Sequence, residues 1–339
     1  MISERSFEVL RAIVEDYVST REPVGSKALL ERHGFGVSSA TIRNDMSILE
    51  EEGLIHAPHT SAGRVPTDSG YRLFVDRLNE IKQLSAAERQ AMETLLSGSA
   101  DLDEILSRSV RLLSQLTNQV AMVQYPTLGK ARARGFELVP VSDTKIMVML
   151  ISDNGRVQQH VVELGEVVIE AVLVVIRDVF REAIIGKPLA EIADLTSSLH
   201  LKFEHQYQNL VKVLVLCLQE QVDANRQDKL VLAGTSNLVR AEGDFGGNLS
   251  PLLDAIDEQV VLLRLISEMQ AEQHGVSVLI GSENRISGLS QASVLVSGYG
   301  GAEDSIAKVG LLGPTRMDYS TNISAVRAIA RYLSKSLGA

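Results

Sequence analysis

Four polar residues stand close together where the sequence pattern predicts the start of a helix: Ser39, Thr41, Arg43 and Asn44. An arginine guanidinium binds guanine O6 and N7 through two hydrogen bonds, and an asparagine amide pairs in the same way with adenine N6 and N7. A threonine offers its hydroxyl to phosphate and its methyl group to the methyl of thymine. We therefore predict that these four residues contact base edges and phosphates of duplex DNA.

The helix that carries this cluster is predicted to have one buried side and one exposed side. Ile42, Met46 and Leu49 follow each other at i, i+4 and i+7, which predicts an apolar stripe packed on a core. At about 100° per residue, Arg43 and Asn44 fall on the opposite face. They also lie in the N-terminal half, where a recognition helix meets base edges.

Two more helices and a hairpin are predicted around this helix. A first amphipathic helix is broken at Pro23, a second runs from about 25 to 33, and the third begins near Ser38 and ends at Gly53. Two short strands then flank a turn at 58–63. This order is that of a winged helix-turn-helix domain. The same elements also fit a protein-interaction domain with ordinary surface residues, and the pattern alone leaves that alternative open.

Other polar residues are predicted to hold the DNA backbone: Lys27 on the second helix, and Thr60, Ser61 and Arg64 at the wing. The net charge of the chain is −10, so the protein is not a general polycation. Residues 1–77 contain 9 Lys and Arg against 12 Asp and Glu, so even this region is acidic. A DNA-facing surface is therefore a small basic patch, whose affinity must depend on a few contacts and on dimerisation.

Composition limits the class of protein. With 339 residues, 45% of them hydrophobic, the chain has enough apolar material for two or three domains. Its single cysteine, Cys217, excludes an intramolecular disulfide and fits a buried apolar position. We find no signal peptide and no uncharged apolar run of 18 residues, so we expect a cytoplasmic protein without a membrane span.

Several longer motifs make the pattern specific. The N-terminal region contains "EPVGSKAL", "VSSATIRNDM", "LEEEGLI" and "HTSAGRVPTDSGYRLFVD", and the C-terminal region contains "GTSNL", "GSEN" and "GLLGPTRMDYS". In these motifs the chain resembles the HrcA family, bacterial heat-inducible transcription repressors. The motifs occur in order over nearly the whole chain, whereas residues 166–228 carry none of them.

The resemblance implies a function and partners. It implies a homodimer that represses heat-shock (chaperone) genes by binding an inverted-repeat operator, the CIRCE element, upstream of their operons. It further implies that the chaperonin GroEL assists folding of the repressor. Depletion of free chaperonin by unfolded proteins would then relieve repression.

The rest of the chain is predicted to be an α+β body. Strands are predicted at 120–124, 135–140, 145–151, 157–164, 230–233, 276–280, 292–297 and 307–312, and helices at 102–116, 252–270 and 322–336. The resemblance identifies the body as GAF-like and adds a helical inserted dimerisation domain. The expected boundaries are 1–80 for the winged helix, 81–165 and 229–339 for the two parts of the GAF-like domain, and 166–228 for the inserted domain.

One segment of the expected insertion is apolar on nearly every side. The helix predicted at 166–185 contains eight Val, Leu and Ile residues between 167 and 176. Such a helix must be buried. It can pack on a second copy of the chain or on its own sheet, and the residues leave both arrangements open. The resemblance to HrcA favours the second copy.

We find no pattern typical of an enzyme. Gly298–Gly301 fits neither a P-loop nor a dinucleotide fingerprint, and the seven histidines lack metal-ligand spacing, so we expect no cofactor, metal or catalytic site. Arg316 and Asp318 fit either a structural ion pair or the lining of a pocket. Two alternatives remain beside the repressor: a regulator gated by a metabolite bound to the GAF-like body, and an enzyme of unknown type.

Overall fold

The computed structural model describes most of the chain, as follows: residues 2–59, 62–78, 90, 94, 101–126, 131–153, 157–165, 167, 169–226, 229–269, 275–286, 288–300 and 307–336. Its helices are α1 (Glu4–Thr20), α2 (Ser26–Arg32), α3 (Ser39–Glu51), α4 (Asp68–Asp76), α5 (Leu102–Thr117), α6 (Glu170–Ile184), α7 (Ile192–Thr196), α8 (His205–Arg226), α9 (Ser236–Arg240), α10 (Ser250–Asp257), α11 (Gln259–Glu268) and α12 (Tyr319–Ser336). Its strands are β1 (Ile55–His56), β2 (Val65–Pro66), β3 (Val120–Gln124), β4 (Ala133–Ser142), β5 (Lys145–Ser152), β6 (Val157–Glu163), β7 (Leu230–Ala233), β8 (Ser277–Ile280), β9 (Ala292–Tyr299) and β10 (Ala307–Pro314).

The head, residues 2–78, has the predicted order of three helices and a hairpin followed by α4. Ser3 caps α1 by accepting a hydrogen bond from the Ser6 amide at 3.1 Å. The two strands of the wing pair antiparallel, with His56 opposite Val65. The prediction of a winged helix-turn-helix order is therefore confirmed.

The body, residues 101–126 and 229–336, is built on a five-stranded sheet. The strand order is β7-β3-β10-β9-β8, and every neighbouring pair is antiparallel. Strands β3, β9 and β10 are buried along most of their length, so apolar residues are needed on both faces. Helices α5 and α12 cover one face of the sheet, and α10 and α11 contribute to a separate apolar cluster with Leu312 and Val294.

The single helix predicted at 252–270 is wrong, because the chain forms two helices there. Glu258 lies between α10 and α11 with φ −78° and ψ 69°, outside the helical region. The break lets both short helices bury apolar residues in the same cluster, Leu252 and Ile256 from α10 and Leu262 and Ile266 from α11. No proline or glycine marks this position in the sequence, so periodicity alone could not detect it.

The inserted unit, residues 131–226, has its own sheet and its own core. Strands β4, β5 and β6 form a three-stranded antiparallel sheet that shares no strand with the body. Phe136 on β4 stacks on Phe180 of α6, with ring centroids 5.1 Å apart and planes at 9°. One apolar cluster contains residues of β4, β5, α6 and α8. The expected boundary at residue 166 therefore cuts through this unit, and the insertion is mixed α and β rather than helical.

The apolar helix α6 packs on its own sheet with one face only. Leu173, Ile176 and Phe180 are buried, whereas Val174 and Val175 are 42% and 56% exposed. One side of this helix thus packs on the sheet of its own chain, and the other apolar side remains uncovered in the single chain. Within the described ranges, no helix has the length and apolar character needed to cross a membrane.

Candidate nucleic-acid interface

Helix α3 is fixed at both ends by local chemistry. Ser38 is its N-cap and accepts a hydrogen bond from the Thr41 amide at 3.2 Å. Gly53, with φ +71°, follows the C-cap residue Glu52, and glycine adopts that conformation without strain. The position of the polar cluster along the helix is therefore set by two residues outside it.

The predicted apolar stripe is confirmed. Ile42 and Leu49 are fully buried, and Met46 is 6% exposed. Arg43 and Asn44 lie on the exposed side of α3, as expected from the helical period. In the part of the chain that the structure describes, neither side chain forms an ion pair or a hydrogen bond. Both are therefore available to a partner.

The other two members of the cluster are less exposed. Ser39 and Thr41 are half-buried, and the Thr41 hydroxyl lies 2.9 Å from the hydroxyl of Ser38. All four residues occupy the first two turns of α3, so the structure brings them together on one end of one helix.

A buried carboxylate within the stripe was not predicted. Asp45 is 1% exposed and accepts hydrogen bonds from Arg5 Nε at 2.8 Å and from the Ser6 hydroxyl at 3.0 Å. The hydrogen bond and the charge of Asp45 raise the pKa of Arg5. The sequence signal for this burial was the position of Asp45, three residues after Ile42 and therefore on the buried side of α3. This contact fixes α3 against α1.

The turn between α2 and α3 is held by a second carboxylate. Asp16 of α1 accepts from Arg32 Nη1 at 3.0 Å and lies 3.0 Å from His33 Nε2. Both partners lie at the C-terminal end of α2, so α1 positions α2 and α3 independently. Helix α3 is therefore rigidly placed within the head.

The predicted backbone contacts have different surroundings. Lys27 is 87% exposed, with its ammonium 3.9 Å from Glu31. Arg64 is only 28% exposed, and its Nη2 lies 2.9 Å from a carboxylate oxygen of Glu50 on α3. Thr60 and Ser61 fall outside the described residues.

The base of the wing is fixed by the backbone. The Val24 amide donates to the Arg64 carbonyl at 2.9 Å, and the Arg64 amide donates to the Val24 carbonyl at 2.9 Å. A Cβ added to Gly63 would lie 2.5 Å from the carbonyl carbon of Val24, so glycine is required there. The guanidinium of Arg64 therefore starts from a fixed backbone position beside the end of α3.

The roles of Arg316 and Asp318 differ. Arg316 forms a two-bond ion pair with Asp244 at 2.9 and 2.6 Å, so its partner is not the Asp318 named with it in the sequence. Asp318 caps α12, accepting from the Thr321 amide at 3.0 Å and from its hydroxyl at 2.7 Å. Asp318 also borders a cavity of about 810 Å³ between α1, α4 and the start of α12.

Carboxylates outnumber arginines in the lining of this cavity, with Glu4, Glu8, Glu15 and Asp318 against Arg11 and Arg77. Arg11 lies 3.4 Å from Glu8 and 3.9 Å from Glu15, and Arg77 lies 3.7 Å from Glu4. Among the described residues that line the cavity, both arginines are thus paired with carboxylates, which disfavours binding of an anionic metabolite. Within the described ranges, no three His, Cys, Asp or Glu side chains are grouped to hold a metal ion.

Two family descriptions match the chain. "HrcA protein C terminal domain" matches residues 103–323, and "DeoR-like helix-turn-helix domain" matches residues 13–66. The second range includes α2, α3 and the wing, where the predicted contact residues lie. A crystal structure of a hypothetical protein is similar over 99% of both chains, with a TM-score of 0.70 and 24% identity, which supports the fold alone.

Curated relatives match over their whole length. The chain is 57% identical over 337 residues to the heat-inducible transcription repressor HrcA of Clavibacter michiganensis, covering 99% of both chains. It is 56% identical to the protein of the same name in Leifsonia xyli, covering 100% of both. The family predicted from the motifs is thereby confirmed, and the chain belongs to the HrcA family.

Proposed function

We propose that the protein is a dimeric transcription repressor that binds the CIRCE inverted repeat and thereby represses chaperone genes. The observation that carries this proposal is the rigid, capped α3, whose exposed Arg43 and Asn44 have no partner among the described residues. The names of the curated relatives support a heat-inducible repressor, a regulator rather than an enzyme. Localisation in the cytoplasm follows from that role.

The proposed contacts fall into two groups. Ser39, Thr41, Arg43 and Asn44 supply base and phosphate contacts from α3. Lys27, Thr60, Ser61 and Arg64 position the head on the DNA backbone. Backbone contacts set orientation and salt dependence, whereas base contacts set sequence preference. The two groups therefore differ in what their substitution changes.

Dimerisation is proposed through the inserted unit. Val139, Met147 and Val161 are paired side by side across β4, β5 and β6, on the sheet face opposite the buried Ile146 and Val148. Val139 is 36% and Val161 is 50% exposed, so this face offers an apolar row to a second copy. The exposed valines of α6 add to the uncovered apolar surface of the same unit.

The division into domains is proposed with a revised boundary. The head corresponds to the winged helix at 1–80, and the body to the two parts of a GAF-like domain. The inserted dimerising domain spans 131–226 rather than 166–228, since β4–β6 share a core with α6 and α8. Modulation by the GroEL chaperonin remains part of the proposal, supported by family membership.

A two-headed repressor requires a matching operator. One winged helix gives a small interface, whereas a two-fold dimer reads two half-sites a whole number of DNA turns apart, each about 34–36 Å. We therefore test the proposal by fluorescence anisotropy on a CIRCE-type duplex and a scrambled duplex of the same composition, at several salt concentrations. A preference of several kcal/mol for the repeat supports the repressor. Equal binding that vanishes as salt rises would reject it.

Arg43→Ala tests the base contact. Because Arg43 is exposed and has no partner among the described residues, we expect little effect on folding and a loss of about 1–3 kcal/mol at the operator. Specificity should relax at one base pair, measured with a set of single-substitution duplexes. Arg264→Ala, an exposed arginine on α11, is the matched control. An equal loss on operator and scrambled DNA would remove Arg43 from base recognition.

A further inference from the structure

Arg316 joins the head to the body. It lies in the turn between β10 and α12, and its guanidinium donates to both carboxylate oxygens of Asp244 at 2.9 and 2.6 Å. Its Nη1 also donates to the carbonyl of Val18, in the last turns of α1, at 2.9 Å. The side chains of Arg316 and Asp244 are 9% and 12% exposed. Three directed hydrogen bonds therefore converge on one buried guanidinium at the junction of the two units.

A second anchor holds a different helix of the head. Arg72 of α4 donates from Nε to Glu283 at 2.7 Å and from Nη2 to the carbonyl of Val278 at 2.5 Å. Asp68, at the start of α4, accepts from the Ser282 amide at 2.8 Å. This anchor uses β8 and the turn after it, whereas Arg316 uses the turn after β10.

Two anchors on separate helices limit rotation of the head. A single anchor would leave the head free to turn about that point, but α1 and α4 are held on two different body segments. Helix α1 in turn holds α3 through Arg5 and Asp45, and holds the end of α2 through Asp16. The direction of α3 relative to the body therefore depends on how α1 is fixed.

The chemistry of the Arg316 contact suits orientation more than stability. Burying an ion pair costs desolvation free energy, and well-packed apolar residues often serve stability as well or better. A planar guanidinium with two parallel bonds to a carboxylate has a fixed geometry, which an ammonium or an apolar contact lacks. An apolar junction alone would permit small sliding motions that this contact prevents.

We propose that Arg316 is a positioning residue that sets the half-site spacing the repressor accepts, by fixing the angle of the head on the body. The inference rests on the proposed function, since spacing has meaning only for a dimer on an inverted repeat. Asp244 and the carbonyl of Val18 are its partners in this role. The base contacts of α3 are not altered by it.

The test is a spacing series with the full-length protein. Anisotropy is measured on duplexes whose two half-sites are moved apart by 0, 1, 2 and 5 base pairs, and on a duplex with a single half-site. The variants are Arg316→Gln, which removes the charge, and Arg316→Lys, which keeps the charge but loses the two-bond geometry. Arg264→Gln is the control, because Arg264 is 81% exposed and pairs only with Glu268 on its own helix among the described residues. Thermal melting of each variant establishes that it is folded.

We expect the wild type to bind the natural spacing on the order of 100-fold more tightly than the spacing with 5 added base pairs, since the second head is then lost. In Arg316→Lys and Arg316→Gln this preference falls at least about tenfold, while single half-site affinity stays within about twofold. A variant that merely weakens the fold would lower both affinities together.

Three results would overturn the inference. Variants that melt lower but keep the wild-type spacing preference would make Arg316 purely structural. Variants that bind the natural spacing more tightly than the wild type would show that the contact holds the head away from DNA. A wild type that ignores the inverted repeat altogether would overturn the proposed function, and the positioning role with it.

Discussion

The phosphate contact proposed for Arg64 competes with an ion pair that this side chain forms in the protein without DNA. In the free protein its Nη2 lies 2.9 Å from Glu50, and the two side chains are 28% and 37% exposed. A partly exposed pair of this kind contributes about 0.2–1 kcal/mol. In the proposed operator complex the alternative partner is a phosphate. The perturbations are Arg64→Ala and Glu50→Gln, made singly and together.

The magnitude of the phosphate contact follows from counterion release. One neutralised phosphate adds about 0.9 to the slope of log affinity against log salt, which corresponds to about 1.6 kcal/mol at 0.05 M and about 0.85 kcal/mol at 0.2 M. We take about 0.5 kcal/mol for the ion pair with Glu50. Replacing that pair by a phosphate contact then gains about 1.1 kcal/mol at the lower salt concentration and about 0.35 kcal/mol at the higher. Phosphate is therefore favoured at low salt and only marginally at high salt.

These values predict the outcome of anisotropy titrations on operator DNA. Arg64→Ala should weaken binding about sixfold at 0.05 M salt and about twofold at 0.2 M, and should lower the salt slope by about one. Glu50→Gln, which removes the competing carboxylate, should bind about two- to threefold more tightly than the wild type. Scrambled DNA should show the same changes, because phosphate contacts carry no sequence information.

The double variant supplies the control for this reasoning. Without Arg64, the Glu50→Gln gain should shrink to the general effect of removing one negative charge near DNA. Thermal melting accounts for any loss of the pair in the free protein. An unchanged salt slope in Arg64→Ala would place Arg64 off the phosphates and refute the exchange.

Three predictions concern the fold. Asn284→Ala should destabilise the body by about 2–4 kcal/mol in urea unfolding, because the buried amide donates to the carbonyls of Gly281, Leu289 and Ala292 at 3.1, 3.2 and 2.8 Å. The control is Gln291→Ala, at an exposed position. A loss below about 1 kcal/mol in Asn284→Ala would contradict the reasoning. Gly70→Ala should destabilise the head by about 1–3 kcal/mol although alanine favours helices, because the added Cβ would lie 2.0 Å from the Leu54 carbonyl oxygen. Gly34 has open space around it, so Gly34→Ala should leave the free energy of urea unfolding nearly unchanged. Burial raises the pKa of the Cys217 thiol from 9.0 to about 11, so alkylation at pH 8 should be about 100-fold slower in the native than in the unfolded protein. The contribution of this thiol to stability should be present below pH 9 and lost as pH rises towards 11. Equal alkylation rates in the native and unfolded protein would show that the thiol is accessible.

The features that the sequence predicted correctly are local ones. The period of Ile42, Met46 and Leu49 and the helix start near Ser38 depend on neighbours within one helix, so the face of α3 could be assigned without knowledge of the fold. The same holds for strand β3, predicted and observed at 120–124. Apolar periodicity and capping chemistry act within about ten residues, which is the range of sequence that such patterns sample.

The features that escaped prediction involve partners distant in sequence. Arg316 meets Asp244 72 residues away and Val18 298 residues away, and nothing near the "GPTRMDYS" motif indicates either partner. The grouping of β4–β6 with α6 and α8 is likewise a tertiary choice, because alternating strands look alike whichever core they join. The ion pair between Arg64 and Glu50 was not predicted either, because it joins the wing to α3.

The position of β3 in the middle of the body sheet has a consequence for biosynthesis. Its neighbours are β7 and β10, and the pair Gln124 and Leu230 encloses the 105 residues of 125–229. Translation at about 5–20 residues per second takes about 5–20 s to make that stretch, and longer to reach β10 at 307–314. Until β7 is made, both edges of this apolar strand are unpaired, and until β10 is made one edge remains so, the condition under which strands associate with other chains. The nascent protein therefore depends on protection of one five-residue segment until the ribosome has delivered its partners.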